Sequence, residues 1–278
     1  MTLAYAPRAS AGLPLIRHER TAGGLAVTRA GNGPPLVVLH GGMGSWTHWV
    51  RNLKALAEHF SVYAFDLPGF GASDDISSDT SLDDYIGHVV TGIDAILPSP
   101  TRFAVAAFSF GGFIGTGVLA RMNDRIKRAS LLAPGGWGPH KGGAVLEMKA
   151  RRRDMTPAEV DETIRYNLSV MMLAHPESID AETMEIQRHN VGAARFKHKR
   201  IRTEFRVIEF LAATRMPLQL LWGERDRNAY PSFYDRLDKA RAVRPDLEFA
   251  VVPDAGHWAQ YERAADYNRL ALGFLCRA

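Results

Sequence analysis

A mainly parallel β-sheet flanked by helices is the fold class this sequence predicts, and three observations carry it. Short apolar runs alternate with amphipathic helical stretches along most of the chain. A serine, Ser109, stands where one such run turns abruptly into a helix. The alternation lapses between about Gly135 and Leu211, where the pattern is helical and charged, and then resumes.

The elements follow in order. Pro14 to Thr21 and Gly24 to Arg29 read as strands of an antiparallel hairpin around Gly23-Gly24. Leu36-Val37-Val38-Leu39 is apolar throughout, as a central strand covered on both faces must be. Helix Trp46 to His59, strand Val62 to Phe65, helix Leu82 to Leu97, strand Arg102 to Ala107, helix Gly111 to Asn123 and strand Ala129 to Leu132 come next. The charged stretch offers helices in Val145 to Arg153, Pro157 to Leu173, Ala181 to Lys199 and Glu204 to Ala213. Strand Leu218 to Trp222, helix Ser232 to Arg244, strand Leu247 to Val252 and helix Ala264 to Phe274 complete the chain. Eight strands result, in a core of residues 1–134 and 212–278 from which 135–211 departs as an inserted helical cap.

Bulk composition narrows the function classes. At 278 residues, 46% hydrophobic and 23% charged, the chain can bury a large core, which argues against a disordered or fibrous protein. A net charge of +4 is spread along the chain; its densest basic run, Arg195 to Arg202, lacks an aromatic platform or recognised binding motif, so a nucleic-acid partner is not expected. The lone cysteine, Cys276, excludes an intrachain disulfide and a cysteine-based zinc site, and it fits a reducing compartment. Neither a signal-peptide pattern at Met1 to Ser10 nor an apolar run of about 20 residues occurs, so a cytoplasmic protein without a membrane span is expected. It would be a monomer or homo-oligomer.

A strand that breaks into a helix forces its junction residue into strained backbone geometry, which needs small neighbours two positions away on each side. Ala107 and Gly111 supply them around Ser109. The plain alternative is a serine capping an ordinary helix. Serine needs a base, and His257, in Pro253-Asp254-Ala255-Gly256-His257-Trp258 just after the last strand, falls at the sheet edge where functional residues gather. An orienting carboxylate is offered by Asp226, in Gly223-Glu224-Arg225-Asp226, with Glu224 as competitor. The loop after strand Ala129 to Leu132, Ala133 to Gly138, holds no carboxylate.

Ala107-Phe108-Ser109-Phe110-Gly111 resembles the nucleophile elbow of the α/β-hydrolase family, with Ala107 where Gly-x-Ser-x-Gly begins. The chain order Ser109, Asp226, His257 is that of the family. His40-Gly41-Gly42-Met43-Gly44 resembles the family's oxyanion loop, which implies N–H donors at Phe110 and at Gly42, with Met43 the alternative to Gly42. Asp66-Leu67-Pro68-Gly69-Phe70-Gly71 resembles a further family stretch and is assigned a structural turn.

Within the family, Gly256-His257-Trp258-Ala259-Gln260-Tyr261-Glu262 and Asp266-Tyr267-Asn268-Arg269-Leu270 are similar to the C-terminal segment of meta-cleavage-product hydrolases, which split carbon–carbon bonds of vinylogous diketones. That resemblance implies a cap arginine holding a substrate carboxylate, for which Arg195 is the candidate, with Lys197 and Arg200 as neighbours. Phe108 and Phe110 stand where that group commonly has asparagine and methionine.

The expected activity is therefore a serine hydrolase needing no cofactor and no metal. Its expected substrate is a small to medium apolar ester or lactone, since Trp46, Phe108, Phe110, Trp137 and Trp258 can line an apolar pocket. Carbon–carbon hydrolysis, perhydrolysis and a ligand-binding receptor without turnover are the alternatives.

Overall fold

A computed structural model describes residues 7, 17–138, 147–152, 154–196, 201, 205–229 and 232–277. Among them one sheet carries the molecule, in the order β1-β2-β4-β3-β5-β6-β7-β8. The strands are β1 Arg17–Arg20, β2 Ala26–Ala30, β3 Pro35–Leu39, β4 Ser61–Phe65, β5 Phe103–Phe108, β6 Ile126–Leu132, β7 Leu218–Gly223 and β8 Glu248–Val252. β1 and β2 pair antiparallel, β2 joins β4 antiparallel, and every pairing from β4 to β8 is parallel. β4, β5 and β7 are buried along their whole length, as strands covered by helices on both faces must be.

The helices are α1 Leu53–Ala57, α2 Leu82–Ile96, α3 Ser109–Arg121, α4 Pro157–Asn167, α5 Ala181–Gly192, α6 Val207–Ala212, α7 Phe233–Val243, α8 Ala259–Glu262 and α9 Ala264–Leu275. Three of the expected helices are shorter or broken. The stretch Trp46 to His59 divides into a 3₁₀ turn, Trp46–Trp49, and α1. Ser45 caps the turn, and Asn52 at the break donates its side-chain amide to Gln260 O. Pro157 to Leu173 is α-helical only to Asn167 and continues as a π turn, Leu168–Met172, whose carbonyls accept from other segments. α5 stops at Gly192, after which Arg195 N and Phe196 N both donate to Gly69 O. No helix forms in 147–152; the rest of the helix expected there, with Pro14 to Ile16 and Glu204, lies outside the described residues.

The segment between β6 and β7, a helical excursion from the sheet, carries α4, α5 and α6 among the described residues. Its apolar side chains Ile164, Leu168, Met172, Leu173 and Phe196 join the same buried cluster as the sheet's. The expected return to the core at 212 falls inside α6, which packs on α3 and α7 and so belongs to the layer flanking the sheet. Among the described residues, no helix is long and apolar enough to cross a membrane.

Candidate active site

β5 ends at Phe108 in extended geometry, and Ser109 begins α3 with φ +52°. A left-handed backbone costs a non-glycine residue energy, and here the buried strand on one side and helix on the other impose it. Crowding explains the small neighbour at Gly111, where an added Cβ would stand 2.2 Å from His40 O. α3 thereby starts hard against the loop that follows β3.

β7 and β8 deliver the other two groups to the same edge. His257 Nδ1 lies 2.8 Å from Asp226 Oδ2, and His257 Nε2 lies 2.8 Å from Ser109 Oγ. A carboxylate accepts, so the ring proton sits on Nδ1 and Nε2 is left to accept from the serine hydroxyl. The Asp226 side chain is fully shielded from solvent, and its second oxygen accepts from Asn228 N at 2.8 Å. Glu224 points elsewhere: its carboxylate accepts from Asp254 N at 2.8 Å. A base bonded to a hydroxyl on one side and to a buried carboxylate on the other can deprotonate that hydroxyl and carry the resulting charge.

The loop after β3 is held by two buried histidines. Leu67 N donates to His40 Nε2, so the proton of His40 is on Nδ1, which donates to Gly41 O at 2.7 Å. Burial pushes the His40 imidazole down to about 4, the bond to Gly41 opposing the shift. Gly41 N donates to His48 Nδ1 at 3.2 Å, and His48 packs between Phe108 and Trp258. Burial, then the neighbouring His40 and His257, keeps His48 neutral well below the usual histidine range. Asp66, in the turn after β4, is pushed the other way to about 6 by burial, against the bonds it accepts from Ala72 N and Trp46 N and the charge of Arg195. Met43 has φ +53°, and Phe110 lies in the first turn of α3.

The candidate substrate residues each have partners within the protein. The Arg195 guanidinium is spent on the core: it pairs with Asp75 and donates to Gly71 O, Ser73 O and Ala193 O. It ties the excursion to the turn after β4 and is not held out toward a ligand. Trp258 is fully buried, donates from its indole to His48 O at 3.0 Å and stacks on Tyr261 at 4.0 Å. Phe108 is fully buried against the His257 ring, 5.0 Å away. Trp137 donates to Pro134 O and faces Trp222. Lys197 and Arg200 lie outside the described residues. Among the described residues, no group of three or more His, Cys, Asp or Glu side chains is placed to hold a metal ion.

Three residues beside the site escaped the sequence reading. His40 and His48 belong to stretches read for their glycines and tryptophans, and Glu262 sits five positions beyond His257 in a segment read only for its resemblance. Only the position of His40, directly before Gly41-Gly42, gave a usable signal.

Comparison with known proteins agrees with this architecture. The chain is 28% identical over 267 residues to a 2-hydroxy-6-oxo-6-phenylhexa-2,4-dienoate hydrolase of Burkholderia cepacia, covering 88% of this chain and 89% of that protein. It is 27% identical over 262 residues, 87% of its length, to the dihydrolipoyllysine-residue acetyltransferase component of an acetoin cleaving system of Pseudomonas putida, of which it spans 64%. A carboxylesterase of Bacillus subtilis shares the fold with a TM-score of 0.72 at 19% identity, over 97% of this chain and 95% of that one. With residues 36–270 matching the family's model over most of the chain, the protein belongs to the alpha/beta hydrolase family and is a hydrolase.

Proposed function

We propose that this hydrolase cleaves small to medium apolar carboxylic esters or lactones by a Ser109–His257–Asp226 triad, with the helical excursion acting as a cap. The observation that carries the reading is the unbroken relay of two 2.8 Å hydrogen bonds from Ser109 through His257 to Asp226. Ser109 Oγ attacks the ester carbonyl carbon while His257 Nε2 takes its proton, and Asp226 balances the imidazolium. The tetrahedral intermediate collapses to an acyl enzyme, His257 returning the proton to the departing alkoxide. Water, deprotonated by His257, then releases the acid and regenerates Ser109.

Gly42 and Phe110 are the proposed oxyanion donors. The Gly41 carbonyl is fixed onto His40 Nδ1, and across a trans peptide the next N–H points the opposite way, so His40 orients Gly42 N. The start of α3 brings the Phe110 N–H and the positive end of the helix to Ser109. An apolar substrate is supported by the aromatic surround, with Phe108 beneath His257 and Phe110 beside Phe70 and Tyr85.

Carbon–carbon hydrolysis is the second reading, favoured by the dienoate hydrolase relative and by the segment from Gly256 to Glu262. Against it, the arginine that would hold a dienoate carboxylate is engaged with Asp75 and backbone carbonyls. Parallel assays with p-nitrophenyl esters, lactones and a carboxylated dienoate diketone discriminate. Multiple turnovers of esters or lactones with the dienoate left intact are expected. Dienoate cleavage with inert esters would replace this reading by the second, and acylation without turnover would mean a receptor.

A further inference from the structure

The backbone on both sides of His257 is tied to the helical excursion, directly at Trp258 and through Glu262 at Gly256. Glu262, in α8, is 7% exposed, and its carboxylate accepts backbone N–H groups from two segments, the nearby loop before His257 and the distant stretch at Ala174 and His175. Oε2 accepts from Gly256 N at 2.7 Å and from Ala174 N at 3.1 Å; Oε1 accepts from Ala174 N and His175 N, both at 2.9 Å. On the other side of the histidine, Trp258 N donates to Met172 O at 2.8 Å. The two backbones touch: a Cβ on Gly256 would lie 2.7 Å from Ala174 N and 2.9 Å from Met172 O, so only glycine admits this approach.

The same excursion segment reaches the loop that carries Asp226. Asn228, whose N–H bonds Asp226 Oδ1, donates its side-chain amide to Met171 O at 3.1 Å, and Arg227 donates to Ser169 O at 3.2 Å. The π turn Leu168–Met172 thus offers carbonyls to both loops of the relay, consistent with the tendency of π turns to sit at functional sites.

We propose, on the strength of the triad reading, that Glu262 is a positioning residue: by clamping Gly256 to Ala174 and His175 it holds His257 in register with Ser109 and Asp226, and makes that register depend on the cap. A carboxylate suits the task because both oxygens must accept. An amide of the same shape has one accepting oxygen and one NH₂, so it keeps either the Gly256 side or the Ala174–His175 side and turns a donor toward a donor on the other. The cost falls on catalysis because a nucleophile and base displaced by even 1 Å lose up to about 100-fold in rate.

The test compares Glu262→Gln, and Glu262→Asp in case the amide prevents folding, with wild type. Thr156→Ala, which removes the N-cap of α4 within the excursion without touching the clamp, serves as a stability control. Three quantities are read for each: kcat per site titratable by a fluorophosphonate, KM, and the far-downfield proton NMR resonance of the His257–Asp226 hydrogen bond. For the Glu262 variants, kcat lower by about 10- to 100-fold, KM within about threefold and a broadened or lost resonance are expected. Thr156→Ala should keep kcat and the resonance at any shared loss of melting temperature. Wild-type kcat and an intact resonance in folded Glu262 variants would overturn the proposal. The resonance is read without turnover, so an inactive wild type would reject the ester reading while the positioning role was still decided.

Discussion

Ser109, Asp226 and His257 each depend on a neighbour that fixes their direction, and this makes their individual substitutions informative. Ser109→Ala should abolish covalent labelling by a fluorophosphonate, mapped by peptide mass spectrometry; rapid labelling of another serine would move the nucleophile elsewhere. Of these two carboxylates, Asp226 reaches the imidazole, whereas Glu224 accepts from Asp254 N. Asp226→Asn should therefore lower kcat by on the order of 10⁴, because the amide favours the wrong imidazole tautomer. Glu224→Gln should change it by less than about tenfold, since the glutamine oxygen can still accept from Asp254 N in this exposed turn. A larger loss for the Glu224 variant, with both proteins folded, would reassign the acid.

Between helices and strands, the junction of the excursion with the turn after β4 depends on Arg195, whose guanidinium meets Asp75 and the carbonyls of Gly71 and Ser73. Removing the guanidinium deletes one of the ties between the stretch after α5 and the turn after β4, while Arg195 N and Phe196 N still donate to Gly69 O. Arg195→Ala should accordingly lower kcat/KM for neutral esters and for carboxylated substrates by the same factor, and lower the melting temperature. A loss of about 10- to 100-fold confined to carboxylated substrates is the size expected for a charge-assisted bond to ligand, and it would restore the arginine to the binding site.

For the molecule as a whole, burying His40, His48 and Asp66 in one loop cluster makes stability depend on pH with opposing signs. The folded value of His40 is depressed from 6.5 to about 4, so its contribution is complete above 6.5 and is lost as pH falls toward 4; His48 acts in the same direction. Asp66 is raised from 3.8 to about 6, so its contribution is complete below 3.8 and is lost as pH rises through 6. Asp66 thus offsets part of the acid lability caused by the histidines. Asp66→Asn should steepen the fall in unfolding free energy between pH 6.5 and 4.5, by about 2 kcal/mol on the shift of Asp66, in urea titrations at the two pH values. An unchanged pH slope would show that Asp66 does not titrate in this range.

The amino-acid sequence by itself determined the succession of strands and helices along the chain, the tight turn at Ser109 and the chain order Ser109, Asp226, His257. These are local properties: an apolar run such as Leu36 to Leu39 is buried on both faces wherever it goes, and Ser109 between Ala107 and Gly111 needs no distant partner to make a tight turn. The tertiary structure decided what depends on partners far away in the chain. It selected Asp226 over Glu224, gave Arg195 to Asp75 across 120 residues, broke the stretch Trp46 to His59 at Asn52, and joined Glu262 to Ala174 across 88. A carboxylate, an amide or a guanidinium has the same local pattern whether it meets solvent, substrate or a backbone N–H, and only the packing of the excursion against the sheet edge determines which of these it finds.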